Sequence, residues 1–141
     1  MTRSKLADPT VCPVCHVVFT DGRWQWLPSA PTGGEEELCP ACRRIRDKVP
    51  AGFLTLQGQF FGAHRDEIMN IVHNKVEAQM SQRPMERIME VEDQDDGSVV
   101  VTFTDIHSPQ GVGEAIKRAY DGKLDIRYAD ESGIARASWE R

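Results

Sequence analysis

Two pairs, Cys12-Pro-Val-Cys15 and Cys39-Pro-Ala-Cys42, hold every cysteine of this 141-residue chain. One such pair is ambiguous, but two pairs divided by a long loop offer four thiolate sulfurs, the full shell of a tetrahedral soft-metal site. Each Pro fixes φ inside a tight turn and leaves backbone N–H groups to face the second sulfur of its pair. Zinc is the expected ion. Iron in a rubredoxin-like site is the alternative, because Phe19, Trp24 and Trp26 flank the first knuckle as aromatics would flank such a centre. His16 follows Cys15 directly and is read as a neighbour, since four thiols already fill the shell.

Paired disulfides would require a secreted chain, and residues 1–11 contain no apolar run of the kind a leader needs. A cytoplasmic protein with reduced thiols is therefore expected. A thioredoxin-type redox role needs one Cys-x-x-Cys at a helix start in a βαβ unit, and the turn-rich surroundings of both pairs do not supply it. No apolar stretch reaches the roughly 20 residues that a membrane-spanning helix requires.

The formal charge of −5 argues against wide coverage of a nucleic-acid backbone, but it is unevenly placed. Residues 1–64 carry seven Lys/Arg against six Asp/Glu, and residues 65–141 carry ten against sixteen. Arg43, Arg44, Arg46 and Lys48 follow the last cysteine, with Arg23 as a further member of the cluster. Such residues either cap a helix C-terminus or meet phosphate, and they are the candidate RNA contacts. Among candidate catalytic groups, His64 and Glu67 stand three apart on a helix pattern with Asp66 beside them and His73 further on. A second metal or an acid–base pair is conceivable there, although helix-start charges and caps explain the same residues. His107 similarly either caps a helix or meets an anion. No phosphate-loop motif and no nucleophile constellation stands out.

These groups need elements to position them, and 40% hydrophobic residues suffice for one core. Asp21-Gly22 between Val18-Phe19 and Trp24-Gln25-Trp26 predicts a hairpin, and residues 28–37 read as a loop. A brief helix is expected over 43–48, ended by Pro50. The reading gives a zinc-ribbon module over 1–50, an extended connector over 51–63, and an α+β domain over 64–141. Within that domain a helix over 64–82, a hairpin around Asp95-Asp96-Gly97, a helix from Ser108 and two final strands predict an αββαββ order, with helices packed on an antiparallel sheet. Phe53 and Phe61 are expected to pack on the ribbon.

The knuckles, Gly22-Arg23-Trp24, Cys42-Arg43-Arg44, Pro50-Ala-Gly52, His64-Arg-Asp-Glu-Ile68 and the stretch from Thr104 to Ala115 together resemble an uncharacterised bacterial family of small zinc-ribbon proteins. More distantly, the zinc region is similar to that of the large-subunit export adaptor known from nonsense-mediated decay genetics. The resemblance spans nearly the whole chain and implies ribosome association. It departs at Ser108-Pro-Gln110, where the family pattern carries a basic residue. The expectation is a zinc-binding, ribosome- or RNA-associated module without catalytic activity. A protein–protein adaptor that uses Trp24 or Trp26 is the second reading, and a metal-dependent enzyme the third.

Overall fold

In the computed structural model, residues 6–29, 31–128 and 131–141 are described. Residues 1–5, on which part of the leader reading rests, and Ala30, in the expected loop, lie outside them. The described residues form a mixed α/β protein with two sheets and four helices.

The smaller sheet is built from β1 (Thr10–Val11), β2 (Val18–Thr20), β3 (Arg23–Gln25) and β4 (Glu35–Glu36), in the order β3-β2-β1-β4. β2 and β3 form the expected hairpin, and both turn residues, Asp21 at φ 53 and Gly22 at φ 80, take the left-handed conformation that suits a two-residue turn. Asp8 braces that turn, accepting from Thr20 Oγ1 at 2.7 Å and from the Asp21 amide at 3.2 Å. The helix that follows, α1 (Pro40–Asp47), starts earlier than the basic run suggested. Cys39 is its N-cap, Pro40 opens its first turn, and Lys48 closes it at φ 57.

Residues 51–63 are not a connector. β5 (Gly52–Gln57) is the central strand of the larger sheet, and α2 (Gln59–Ala63) follows it before α3 (Arg65–Met80). Alternation of Leu54 and Leu56 with half-buried Phe53, Thr55 and Gln57 is the pattern of a paired strand, and its partners lie far along the chain. The remaining elements are β6 (Ile88–Asp93), β7 (Val99–Phe103), α4 (Ser108–Tyr120), β8 (Lys123–Arg127) and β9 (Ala135–Glu140). Strand order is β6-β7-β5-β9-β8. The expected αββαββ order therefore gains a leading strand and a short helix. The sheet is mixed rather than antiparallel, because β5 runs parallel to β9 over Gly52–Gln57 against Ala135–Glu140.

Leu54, Leu56, Val99, Val101, Phe103 and Trp139 project from the sheet onto Ile68 and Val72 of α3 and Val112 and Ile116 of α4. Trp139 is fully buried and donates its indole N–H to the Asp121 carbonyl at 2.7 Å, so its one polar atom is satisfied inside the core. Phe61 joins this core, and Phe53 lies under the Arg136 guanidinium at 4.5 Å, so neither packs on the ribbon as expected. Gly52 is confined on one side: a Cβ there would stand 2.5 Å from the Asp105 carbonyl oxygen and 2.6 Å from Pro109 Cγ.

Candidate metal centre

Four side chains from two distant turns converge between the smaller sheet and α1. The sulfurs of Cys12, Cys15, Cys39 and Cys42 all lie within 4.8 Å of one another. Cys12 and Cys39 are fully buried, Cys42 nearly so, and Val17, Ala41, Trp24, Leu38 and Met85 enclose them. His16, at φ 70, makes the sharp bend after the first knuckle and stays exposed, outside the ligand group, as its reading as a neighbour required.

The knuckle amides act in the opposite sense from the one expected. The Cys42 amide points back at the first sulfur of its pair, Cys39 Sγ, at 3.3 Å, because Cys39 occupies the N-cap and its side chain accepts from the exposed end of the helix. Cys15 Sγ and Cys39 Sγ, one from each knuckle, are 3.8 Å apart. Four sulfurs each about 2.3 Å from a central ion would form a tetrahedron with edges of about 3.8 Å, so the donor set fits zinc in both chemistry and spacing.

Burial pushes the Cys39 thiol up to about 12, against the opposing pull of the Cys42 amide and Arg87, and burial likewise raises Cys42. At Cys12 burial acts in the same direction, but the N–H groups of Cys15, Cys39 and Val14 outweigh it and bring that thiol down to about 6. With zinc bound, these four residues would hold it as thiolates, and the ion would supply a rigid cross-link between the two turns.

Arg87 completes the site, and nothing in the sequence marked it. Nη1 donates to Cys42 Sγ at 3.2 Å, and Nη2 to Cys15 Sγ at 3.1 Å and to Cys39 Sγ at 3.7 Å. Nε donates to the Pro84 carbonyl at 2.8 Å. The side chain is buried, and no carboxylate lies within ion-pair distance of it among the described residues. Desolvation works against its charge, yet bonds to Cys15 and the neighbouring sulfurs hold its pKa above the ordinary value. Trp26 lies 5.6 Å from the guanidinium and donates its own Nε1–H to the Met80 carbonyl at 2.9 Å. Trp24 packs edge-on to Phe19, with ring centroids 5.4 Å apart. Both tryptophans thus make contacts within the chain, and Trp26 keeps 36% of its surface exposed.

The basic cluster is brought together only in part. Arg43 donates to the Leu38 carbonyl at 3.3 Å and lies 3.9 Å from Glu37; Arg44 donates to the Val49 carbonyl at 2.9 Å; Arg46 pairs with Asp47 at 2.8 Å. Lys48 caps α1 through its backbone, and Arg23 is exposed on the hairpin. Arg43 and Arg44 border a cavity of about 470 Å³ that Leu6, Trp24, Leu38 and Val49 also line.

Of the histidines, His64 Nδ1 meets Glu67 Oε1 at 3.1 Å, and Glu67 Oε2 accepts from Tyr120 Oη at 2.9 Å. His64 bonding, then Tyr120 bonding, hold the Glu67 carboxyl below its ordinary range. With His64 also stacked on Phe60 at 4.1 Å, the group ties the α2–α3 junction to α4. His73 is exposed and stands apart from this group. His107 does not cap α4 with its ring. Asp105 does so, accepting from the His107 and Ser108 amides at 3.0 and 2.8 Å and from Ser108 Oγ at 2.7 Å. A short carboxylate just before the helix reaches those amides, whereas the bulkier imidazole remains exposed.

No helix among the described residues is long and apolar enough to cross a membrane. Comparison of the chain with family models, curated proteins and solved structures finds no match.

Proposed function

We propose that this protein is a non-catalytic binding module whose N-terminal ribbon is held by one structural zinc ion, and that it associates with ribosomal or other RNA through the basic side of α1. One observation carries the metal reading: four sulfurs within 4.8 Å of one another, three of them on buried cysteines, with a buried cation beside them. Four thiolates fill a tetrahedral shell and leave no open position for water or substrate, which favours a structural over a catalytic ion. Elemental analysis of protein purified without chelator tests it. One equivalent of zinc supports the reading; metal well below one equivalent refutes it, and an iron signal assigns a rubredoxin-like centre instead.

The RNA reading rests on Arg43, Arg44, Arg46 and Lys48 lying along one short, mostly exposed segment. Their present partners are exposed acids and carbonyls, and exposed ion pairs of this kind contribute only about 0–1 kcal/mol, so phosphate could displace them. Three or four phosphate contacts at about −0.7 to −0.9 each predict a log–log salt slope near −3. Sucrose-gradient sedimentation of cell extract, with and without nuclease, reads this out. Association that weakens in salt and on charge reversal at Arg43 and Arg44 supports RNA. A protein that remains in the light fractions at low salt refutes it.

The cavity beside α1 favours a second reading, a protein adaptor. Leu6, Trp24, Leu38 and Val49 give it apolar walls, and Arg43, Arg44, Glu37 and Asp47 a mixed-charge rim. Association that persists at high salt and disappears on Trp24→Ala would select this alternative.

A further inference from the structure

Arg87 lies 45 to 72 positions in the chain from the cysteines it touches, yet its guanidinium joins the smaller sheet to the larger one. Arg87 lies just before β6. Its amide donates to Thr104 Oγ1 at 2.9 Å, Thr104 Oγ1 donates to the Met85 carbonyl at 2.6 Å, and Nε is fixed on Pro84. The base of the side chain is therefore anchored to the larger sheet and the turn that feeds it. Its far end touches sulfurs from both knuckles, and Trp26 covers it while bonding the last turn of α3.

Resting on the metal reading above, we infer that Arg87 is a positioning residue that orients the metal-binding thiolates and makes docking of the ribbon on the α/β domain depend on the metal. The charge relations support this. A guanidinium is a permanent cation, and here its anionic partners are sulfurs alone. Four thiolates around a divalent ion leave an excess of negative charge, which Arg87 offsets in part through charge-assisted N–H···S bonds that also fix where the sulfurs point. Without the ion the four sulfurs lose the cross-link that would fix their spacing, and the fork of Arg87 loses the ordered set of partners it meets on both knuckles. The ribbon then has reason to separate from Arg87. Occupancy of the metal site is in this way converted into the position of the hairpin and α1, where the proposed partner contacts lie.

The test compares the full-length wild type with R87M, which keeps length and apolar bulk, and R87K, which keeps charge but loses the fork. Zinc affinity is measured by chelator competition. Cobalt(II) substitution reports the sulfur-to-metal charge-transfer band, and hydrogen exchange reports residues 10–27 and 85–91 separately from β5, β7 and β9. Removing such an outer partner is expected to weaken zinc binding about 10- to 100-fold in R87M. The cobalt band should move to lower energy as the N–H···S bonds disappear, and R87K should recover part of both changes. Zinc-loaded R87M and chelator-treated wild type should both lose protection over 10–27 while the larger sheet stays protected. Affinity of R87M within twofold of wild type, or unchanged protection of 10–27 after chelation, overturns the inference. If R87M loses protection in the larger sheet as well, R87K is judged by the same criteria. A wild type without metal would refute the zinc reading itself, whereas a loaded wild type indifferent to Arg87 refutes only this inference.

Discussion

Cys39→Ser removes one ligand while leaving the helix it caps nearly undisturbed, which makes it a sharp probe of the centre. Cys39 Sγ is fully buried, accepts the Cys42 amide at 3.3 Å and lies 3.8 Å from Cys15 Sγ. Serine is among the best N-cap residues, so its hydroxyl can keep the Cys42 bond, whereas Cys39→Ala would also lose a cap worth about 1 kcal/mol. Structural zinc held by four such ligands contributes about 10–16 kcal/mol in small folded sites, so one ligand carries about 3–4 kcal/mol, or roughly 10²- to 10³-fold in affinity. Competition against a chromophoric chelator at fixed pH measures that ratio directly. Hydrogen exchange should show residues 10–27 and α1 opening first, with β5, β7 and β9 retained on their own core. An affinity within threefold of wild type would refute the argument, because a buried ligand of a four-sulfur site cannot be lost at so little cost.

Metal uptake should release protons: burial keeps Cys39 and Cys42 above the ordinary thiol range while Cys12, near 6, is already ionised at about pH 7.5, so at least two protons per zinc, those of Cys39 and Cys42, are expected in a weakly buffered dye assay, and affinity should fall as pH falls. An uptake without proton release would contradict this. In metal-free protein the same shift predicts a loss of stability between about pH 9 and 12, because an unfolded thiol ionises near 9.0 while Cys39 in the fold holds its proton to about 12, and chemical denaturation across that window should show it. Gly52→Ala should destabilise the larger sheet by about 1–3 kcal/mol in urea, because the added methyl meets the Asp105 backbone carbonyl and the Pro109 ring, neither of which can swing aside as a flexible side chain could. A variant as stable as wild type would show that the β5–α4 approach is looser than described.

The elements with a local signal were legible. The knuckles, the Asp21-Gly22 hairpin, the long helix, the β6–β7 pair and α4 each follow from residues within a few positions of one another. The sequence of β5 shows that it is extended but not that it is central, since its place depends on pairing with Val99–Phe103 and Ala135–Glu140, and short-range alternation cannot name such partners. For the same reason local alternation points to an antiparallel sheet and misses the parallel β5–β9 pair. Arg87 gave no signal at all: a lone arginine at the edge of a strand reads as a surface charge, and its meaning comes from cysteines 45 to 72 positions away. Trp26 was legible as an aromatic near the metal, but not as the cover on that guanidinium.

The parallel pairing of β5 with β9 sets the order in which the protein can be made. The four cysteines all lie within residues 12–42, so the thiolate cluster can close before any strand of the larger sheet has been made. The strand that must sit beside β5 is not available until residue 140 has been added. During translation β5 therefore waits with the edge that β9 will fill still open, and closing so long a loop is slow for entropic reasons. A nascent chain stopped before β9 should hold zinc yet lack the larger sheet's cooperative core, and it would be the species most exposed to aggregation through that edge.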